Sequence, residues 1–262
     1  MTQLEGGPPR LQVAADGCAT VTLQRPRHRN RLHREDLLAL QAQFAQAAAD
    51  PAVRLLVLTA SGPVFCAGFN LAELEQTSLA NAASADPQLF EHTVDLLEAL
   101  PLPTVARLNG SVYGGATDLA LACDFRVGVA GMELRMPAAR LGLHYYPRGM
   151  QRYVTRLGLQ AAKRLFLLAE AMPADELLRI GYLDELVEAD ALDAAVQRLA
   201  TSLEAGAPLA LRGMKQSLNE IARGGFDVAA VNDRVLRCAA SADLSEGLAA
   251  FAAKRTPRFA GR

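Results

Sequence analysis

Two glycine-bearing segments hold the residues whose spacing suits chemistry on an anionic intermediate. Residues 61–70 (SGPVFCAGFN) and residues 109–118 (NGSVYGGATD) each follow directly after a predicted strand. Glycine permits a bend or a close backbone approach that a side chain would block, and amide N–H groups left free at such bends favour negative charge. Two such amides that converge on one oxygen form an oxyanion hole, in which each donor is worth about 3–4 kcal/mol. Tight strand-to-helix turns without a ligand are the alternative interpretation of either segment alone.

Motifs of several other enzyme classes are absent from the sequence. It contains no GxxxxGK[ST] phosphate loop, no GxSxG nucleophile turn, no HExxH zinc motif and no GxGxxG after the first strand. The four histidines, at positions 28, 33, 92 and 144, have no metal-ligand spacing. The sequence therefore argues against kinases, serine hydrolases, zinc enzymes and nucleotide-dependent dehydrogenases.

The elements that must position these segments alternate between strand and helix. A hairpin is predicted by period-two alternation around Asp16-Gly17, and apolar residues recur at helical spacing before Pro51. In chain order the predicted elements are a hairpin over 11–23, a helix over 34–49, a strand over 53–59, a helix over 87–99, a strand over 104–108, a helix over 115–123 and a strand over 125–129. This alternation is typical of an α/β core with crossover connections.

The chain beyond residue 159 has a mainly helical pattern. Its candidate core residues are Leu165, Leu168, Leu177, Leu178 and Ile180. The last sixty residues predict separate amphipathic helices, and we expect such helices to pack on a neighbouring subunit of an oligomer.

Composition indicates an ordinary globular protein. Of the 262 residues, 51% are hydrophobic and 21% are charged, which excludes disorder as the main state. The net charge of -1 argues against a nucleic-acid partner bound through bulk positive charge. The sequence has no signal-peptide pattern and no uninterrupted apolar run of about 18 residues, and its four cysteines are far apart. We therefore expect a cytoplasmic location, without a disulfide framework or a membrane span.

Taken together, the two glycine segments resemble those of the crotonase, or enoyl-CoA hydratase/isomerase, superfamily. The resemblance is carried by LTASG (58–62) leading into FCAG (65–68), by LNG (108–110) through Gly114-Gly115 to Cys123-Asp124, and by FAAKRTPRF (251–259) near the C-terminus. It covers the chain from about residue 10 to the end and implies an α/β fold, a crotonase-like spiral of ββα units. Residues 1–200 would form the spiral core with the acyl-CoA site, and residues 201–262 a helical C-terminal oligomerisation region that builds trimers or dimers of trimers.

The resemblance also implies the substrate and how it is held. An acyl-CoA thioester would place its carbonyl oxygen between the amides of Phe69 and Gly115, with no cofactor or metal. The basic run over 25–34 (RPRHRNRLHR) would border the CoA nucleotide, and arginine suits phosphate by charge and geometry. The implied CoA-binding residues are Arg25, Arg27, Arg29, Ala67 and Lys254. A solvated surface loop is the alternative interpretation of the charge run.

The reaction depends on which acid–base groups stand beside the hole. Hydration benefits from two such groups, and in the hydratases of this family both are glutamates. The first aligns with Asp118 and the second with Ala138, which cannot move a proton. Two-glutamate hydration is therefore not expected, unless Glu133 or another group substitutes for the second glutamate. Isomerisation needs a single proton-shuttling base, a role that Asp118 could fill.

A second resemblance is local. GSVYGGA (110–116) and LGLHYYP (141–147) are similar to methylmalonyl-CoA decarboxylases, in which the tyrosine aligned with Tyr145 orients the substrate carboxylate. The sequence departs from that group at Phe69, Asp118 and His144. We therefore favour a decarboxylase or an isomerase over a two-glutamate hydratase, with Asp118, Tyr145 and His144 as candidate catalytic residues.

Other interpretations of these residues stay open. Asp118 could be a buried structural acid, Tyr145 and Tyr146 could be packing residues, and His144 could be a polar surface residue. Cys66 fits a small core residue better than a nucleophile, because no base is spaced to activate it.

Three alternatives remain for the function of the whole chain: a hydratase that uses Asp118 with a substitute acid, a non-catalytic acyl-CoA binding protein and an RNA-binding protein. The size of the acyl pocket depends on the poorly patterned residues 71–90.

Overall fold

The computed structural model describes residues 6–70, 72–73 and 88–262. Most of the segment expected to set the size of the acyl pocket therefore lies outside the described residues. Within these ranges, the centre of the molecule is a six-stranded sheet. With the strands numbered in chain order, its spatial order is β1 (Gly7–Val13), β2 (Cys18–Gln24), β3 (Leu55–Ala60), β4 (Thr104–Leu108), β6 (Phe125–Val129) and β9 (Glu185–Val187).

The sheet is parallel except at one edge. The first two strands form the antiparallel hairpin, with Leu11 opposite Val21, and the four following pairings are parallel. Every residue of β3 (LLVLTA) is buried, as expected of a parallel strand with both faces covered. The sheet is thus the rigid frame from which the two glycine segments emerge.

A smaller sheet lies beside the main one. In the described part of the chain it has three strands, β5 (Val112–Tyr113), β7 (Glu133–Arg135) and β8 (Ala171–Pro173). The first two strands are parallel, and the last pair is antiparallel. Because β5 directly precedes Gly114-Gly115, this sheet fixes where the second glycine segment ends.

Helices cover the sheets and make up the C-terminal part of the chain. In chain order they are α1 (Arg34–Ala49), α2 (Leu89–Ala99), α3 (Ala116–Leu121), α4 (Pro147–Leu157), α5 (Leu159–Lys163), α6 (Ala174–Arg179), α7 (Leu192–Glu204), α8 (Pro208–Ala222), α9 (Val228–Ala239) and α10 (Ala242–Ala252). The first has a capping box between His33 and Asp36, which satisfies amides at its N-terminus. The last three confirm the prediction of separate helices near the C-terminus.

The predicted elements of the first 130 residues are confirmed, whereas two predicted core residues are wrong. Leu165 and Leu177 are fully buried, but Leu168 is 54% exposed and Leu178 is 42% exposed. Leu168 ends a π-helical turn over Arg164–Leu168, so the 3.6-residue period fails there. Leu178 follows Leu177 directly on α6, and adjacent helical residues point in directions about 100° apart, so the side chain next to a buried one can face solvent.

The expected division of the chain at residue 200 falls inside α7, which runs across it, and the division stays a prediction. None of the described helices is both long enough and apolar enough to cross a bilayer.

Candidate active site

Backbone pairing brings the two glycine segments together. Cys66 pairs with Val112 in an isolated parallel bridge. The Tyr113 amide donates to the Cys66 carbonyl at 2.9 Å, and the Phe65 amide donates to the Ser111 carbonyl at 3.1 Å. The chain after Cys66 and the chain after Tyr113 therefore leave the pairing side by side.

Gly68 makes a close approach to the second of these segments. Its φ of +90° is left-handed, and a Cβ placed on it would lie 2.8 Å from the Tyr113 carbonyl oxygen and 3.4 Å from the Gly115 nitrogen. Any side chain at this position would push the two turns apart. The turn at Gly68 therefore lies in van der Waals contact with the turn at Gly114-Gly115, next to the Gly115 amide that the sequence predicts as a donor.

The two predicted oxyanion amides have no acceptor in the described part of the chain. One amide next to each of them donates to a backbone carbonyl: Asn70, after Phe69, to Leu32 at 2.8 Å, and Gly114, before Gly115, to Arg135 at 2.9 Å. The Phe69 and Gly115 amides make no such bond there, and both residues are only partly buried. Since unpaired amides are rare in folded proteins, two of them on touching turns are suited to bind a ligand oxygen.

Aromatic rings line the space beside these amides. The ring of Phe90 lies directly over Gly115, where a Cβ would come within 2.7 Å of its Cζ atom. The Phe90 ring centroid is 6.4 Å from that of Phe69 and 6.2 Å from that of Tyr146. Among the residues that the structure describes, the wall next to the amides is therefore formed by aromatic rings, and the hydroxyl of Tyr146 adds a polar group to it.

Asp118 lies one helical turn beyond Gly115 and is fully buried. Its amide donates to the Gly115 carbonyl at 3.0 Å. Nη1 of Arg152 donates to Oδ1 at 2.8 Å and to Oδ2 at 2.9 Å. The Tyr146 hydroxyl donates to Oδ2 in a short hydrogen bond, and the Tyr145 hydroxyl lies 3.4 Å from the same atom. The carboxylate is thus held by one arginine and covered by two tyrosines.

Arg152 connects Asp118 to further carboxylates on α2. It donates to Asp95 Oδ1 at 2.8 Å and to Glu98 Oε1 at 2.9 Å. Burial favours a raised pKa for Glu98, but Arg152, with Arg223 and Arg156, overcomes it and lowers the pKa of Glu98 to about 2. Arg223 belongs to the turn that ends α8, so the network extends from the site to the C-terminal helices.

The loop before α4 holds the predicted catalytic residues Tyr145 and His144 in different environments. Burial and the charge of Asp118 raise the pKa of Tyr145 and of Tyr146, so both remain neutral phenols. Tyr145 packs on Tyr153 and Phe166. His144 is exposed, and its Nδ1 lies 2.8 Å from the Tyr145 carbonyl oxygen. The catalytic roles of Tyr145 and His144 stay predictions.

The basic loop lies against the first glycine turn. The Ala67 amide donates to the Arg29 carbonyl at 2.8 Å, and the side chains of Arg27 and Arg29 are exposed. The Arg25 guanidinium is bound by Asp36 at 3.0 Å and by Glu35, so a phosphate would have to compete with two carboxylates.

Lys254 is exposed in the turn after α10. Its CoA-binding role, like those of Arg25, Arg27, Arg29 and Ala67, stays a prediction.

The position of the second family glutamate carries no acid. Ala138 is buried at the start of a 3-10 turn. Glu133, the possible substitute, accepts a hydrogen bond from the Tyr113 hydroxyl at 2.9 Å and has no contact with Asp118 or Tyr146 in the described structure. Asp118 is therefore the carboxylate that the structure brings next to the amides.

Sequence reasoning missed Arg152, Phe90 and the bond from Tyr146 to Asp118. Arg152 is one of three arginines in α4 (PRGMQRYVTRL), and nothing in that spacing distinguishes a buried arginine from an exposed one.

Cys66 fits the core role that the sequence predicts for it. Its thiol donates to the Asn30 carbonyl at 2.9 Å, and burial raises its pKa to about 12.

Known proteins are similar to this chain over nearly its whole length. Residues 14–262 match the family model described as enoyl-CoA hydratase/isomerase. An enoyl-CoA isomerase/hydratase of Mycosarcoma maydis (fer4) is 34% identical, over 97% of this chain and 96% of the relative. A crotonyl-CoA hydratase of Syntrophomonas wolfei is 32% identical, over 92% of this chain and 94% of the relative.

Solved structures show the same fold. An enoyl-CoA hydratase/isomerase family protein of Hyphomonas neptunium superposes with a TM-score of 0.91 at 28% identity, and the match covers 98% of each chain. An enoyl-CoA hydratase/carnithine racemase of Magnetospirillum magneticum superposes with a TM-score of 0.90 at 30% identity, over 98% of this chain and 96% of the other. The chain belongs to the enoyl-CoA hydratase/isomerase family, the crotonase superfamily.

Proposed function

We propose that this protein is an enzyme that converts an acyl-CoA thioester through an enolate held by the amides of Phe69 and Gly115. The observation that carries the proposal is the contact of two glycine turns that leaves both amides without an acceptor in the described chain. An enolate oxygen is a strong acceptor, and donors already in place stabilise it without reorganisation. The chemistry proposed draws on no metal and no cofactor beyond the CoA of the substrate.

The acid–base groups favour isomerisation or decarboxylation over two-glutamate hydration. Asp118 is the carboxylate beside the hole, and Ala138 occupies the position of the second acid. A decarboxylase requires an enolate-stabilising hole and a proton source, and an isomerase requires one proton shuttle. Both reactions are compatible with one carboxylate, whereas hydration ordinarily uses two positioned groups.

Hydration is the second candidate, because several relatives are named hydratases. Besides the crotonyl-CoA hydratase, a 2,3-dehydroadipyl-CoA hydratase of Escherichia coli is 32% identical over 92% of this chain and 94% of the relative. A hydratase reaction here would combine Asp118 with an acid other than Glu133, which bonds to Tyr113.

The purified protein should be tested with malonyl-type, 2-enoyl and 3-enoyl CoA thioesters side by side. Turnover of the malonyl-type or 3-enoyl substrate supports the first candidate, and selective hydration of the 2-enoyl substrate supports the second. Binding of all three without turnover would contradict the enzymatic proposal and favour a non-catalytic acyl-CoA binding protein.

An Asp118→Asn variant tests the role of the carboxylate in whichever reaction is found. It keeps the size of the side chain and removes its charge. An unchanged rate in this variant would show that Asp118 is not part of the acid–base machinery.

We also propose that the protein assembles as a homotrimer or a dimer of trimers in the cytoplasm. The C-terminal helices expose large apolar side chains that one chain leaves uncovered: Met214, Leu218, Val235, Leu236, Leu248 and Phe251. Such surfaces mark protein interfaces more often than free surface. Sedimentation of the Leu248→Glu, Phe251→Glu double variant should show dissociation to monomers, and an unaltered sedimentation coefficient would contradict this assembly.

A further inference from the structure

We propose that Tyr146 is the residue that exchanges protons with the substrate and that Asp118 acts through it, in a two-proton relay that shifts a double bond along the acyl chain. The inference rests on the proposed enolate function and names its acid–base group and its reaction class.

Asp118 is closed off from a bound substrate. It is fully buried, and a Cβ placed on Gly149 would lie 2.8 Å from its Oδ2 atom. Arg152 holds both oxygens, and two tyrosines cover one of them. A carboxylate has about four acceptor positions, and these contacts use most of them. A substrate carbon therefore has no open approach to Asp118.

Tyr146 lies between this carboxylate and the oxyanion hole. It is partly exposed, and its hydroxyl donates to Asp118. Its ring stacks edge-on against Phe90, which lies over Gly115. Because the hydroxyl proton points to Asp118, the hydroxyl oxygen acts as an acceptor, and beside its hydrogen bond with the Tyr145 hydroxyl it keeps a lone pair for a proton from the substrate.

The relay balances as follows. The Tyr146 oxygen takes a proton from the carbon next to the thioester carbonyl, while the original phenol proton passes to Oδ2 of Asp118. The electron pair of the broken C–H bond becomes an enolate whose oxygen is held by the two amides. Negative charge thus moves from Asp118 to the thioester oxygen. The reverse transfer to the γ carbon completes the shift of the double bond, with no further reactant.

The electrostatics favour a concerted transfer. Burial and the Asp118 charge raise the pKa of Tyr146, so a free phenolate is not formed, and the relay avoids one. When Asp118 becomes neutral, Arg152 keeps Asp95 at 2.8 Å and Glu98 at 2.9 Å. The arginine therefore never becomes a buried unpaired charge, whose cost would oppose the transfer.

The same arrangement disfavours decarboxylation. Loss of carbon dioxide creates an enolate that must then receive a proton. If Tyr146 gave up its proton to that enolate, a phenolate would lie next to ionised Asp118, and two adjacent like charges are costly. The resting pair is ready to accept a proton, which suits a reaction that begins with abstraction, as the isomerisation of a 3-enoyl thioester does.

The relay can be tested without full turnover. Wild-type protein in D2O should place deuterium on the α carbon of butyryl-CoA, read by mass spectrometry, and should convert 3-hexenoyl-CoA to its conjugated isomer, read by absorbance. Tyr146→Phe should lose both activities by about 100-fold or more, while its Kd for butyryl-CoA stays within about threefold of wild type. Tyr182→Phe is the matched control, because its hydroxyl donates to the Thr117 carbonyl at 2.8 Å and not to Asp118; it should lose less than about fivefold.

A measurement on the wild type avoids any folding defect of the variant. One moving proton comes from the substrate carbon and the other from the exchangeable phenol, so deuterium at the α carbon and D2O as solvent should each slow isomerisation, and the solvent effect should persist with the α-deuterated substrate. A rate that does not respond to D2O, or a Tyr146→Phe protein that keeps its exchange rate, would overturn the relay.

The outcomes also separate the relay from the proposed function. Decarboxylation of a malonyl-type thioester without α-proton exchange would overturn the relay and leave the enolate proposal standing. Absence of exchange, isomerisation, decarboxylation and hydration with every thioester would overturn both.

Discussion

The two sides of the candidate site are built from different parts of the chain. The amide side consists of backbone from two turns that touch at Gly68. The carboxylate side consists of side chains from α2, α3 and α4, tied together by Arg152. Backbone donors are fixed as soon as the strands pair, whereas the carboxylate becomes usable only after three helices have packed. One side therefore depends on local geometry and the other on buried charge balance.

The largest effect should follow from removing Arg152. Arg152→Gln leaves Asp118 and Glu98 as buried carboxylates without their shared partner, so the free energy of unfolding should fall by about 3–5 kcal/mol. Urea unfolding measures this change. Arg179→Gln is the control, because its side chain is 67% exposed and such a pair contributes about 1 kcal/mol or less. Equal losses of unfolding free energy in the two variants would show that the Arg152 network contributes no more to stability than an exposed ion pair does.

A change on the amide side should affect turnover more than stability. In Gly68→Ala the new Cβ would meet the Tyr113 carbonyl at 2.8 Å, which displaces one turn from the other. Loss of one oxyanion donor costs about 100- to 1000-fold in kcat. Gly131→Ala is the control, because it shares a left-handed φ, +79°, but has no atom within 4 Å of the new Cβ. Comparable kcat values in the two alanine variants would contradict the proposed hole.

Acid should weaken the carboxylate side and leave the amide side intact. The folded-state pKa of Glu98 is about 2, below its ordinary 4.5. Its stabilisation is therefore complete above about pH 4.5 and is lost as the pH falls towards 2. The unfolding free energy of wild type should drop by about 1–3 kcal/mol more over this interval than that of Glu98→Gln. Parallel pH profiles would show that Glu98 is not held in its charged form by its arginines.

The smallest effect concerns the loop that packs on the amide side. Arg27→Gln removes an exposed charge, so the Kd for CoA should rise by about two- to fivefold, and the change should shrink at high salt. Isothermal titration at two salt concentrations measures it. Arg198→Gln, on the surface of α7 and paired with Glu185, is the control. A change in the Kd for CoA that does not depend on salt would indicate that Arg27 contacts CoA by means other than its charge.

Much of the fold was predictable from the residues. The hairpin, the first helix and the buried strands follow from period-two and period-3.6 patterns, and the structure confirms them. The short strands β7, β8 and β9 were not predicted, because three residues carry no period. Leu168 and Leu178 were wrongly predicted as core residues for a related reason. An apolar residue at a π-helical turn, or next to a buried neighbour, does not by itself show whether its side chain faces the core or the solvent.

The candidate site, like the fold, was predictable from the sequence only in part. The contact of the two glycine turns was predictable from the family resemblance, because the glycine motifs that carry it each lie directly after a strand in the sequence. The Arg152 network was not, since its members come from residues 95–223 and their pairing depends on how α2, α4 and α8 pack together with α3. Tyr146 illustrates the difference: sequence singled out its neighbour Tyr145, and only the direction of the chain before α4 decided which hydroxyl lies close to Asp118.

The sequence by itself, through its family resemblance, predicted the two backbone donors, the first carboxylate and the missing second acid, because each prediction depends on which residue stands at one position of a local pattern. Tertiary structure alone decided that Asp118 is closed off, that Arg152 neutralises it and that Tyr146 stands in front of it. Burial and charge pairing are properties of packed neighbours, and residues far apart in the chain become neighbours only when the helices close over the sheet.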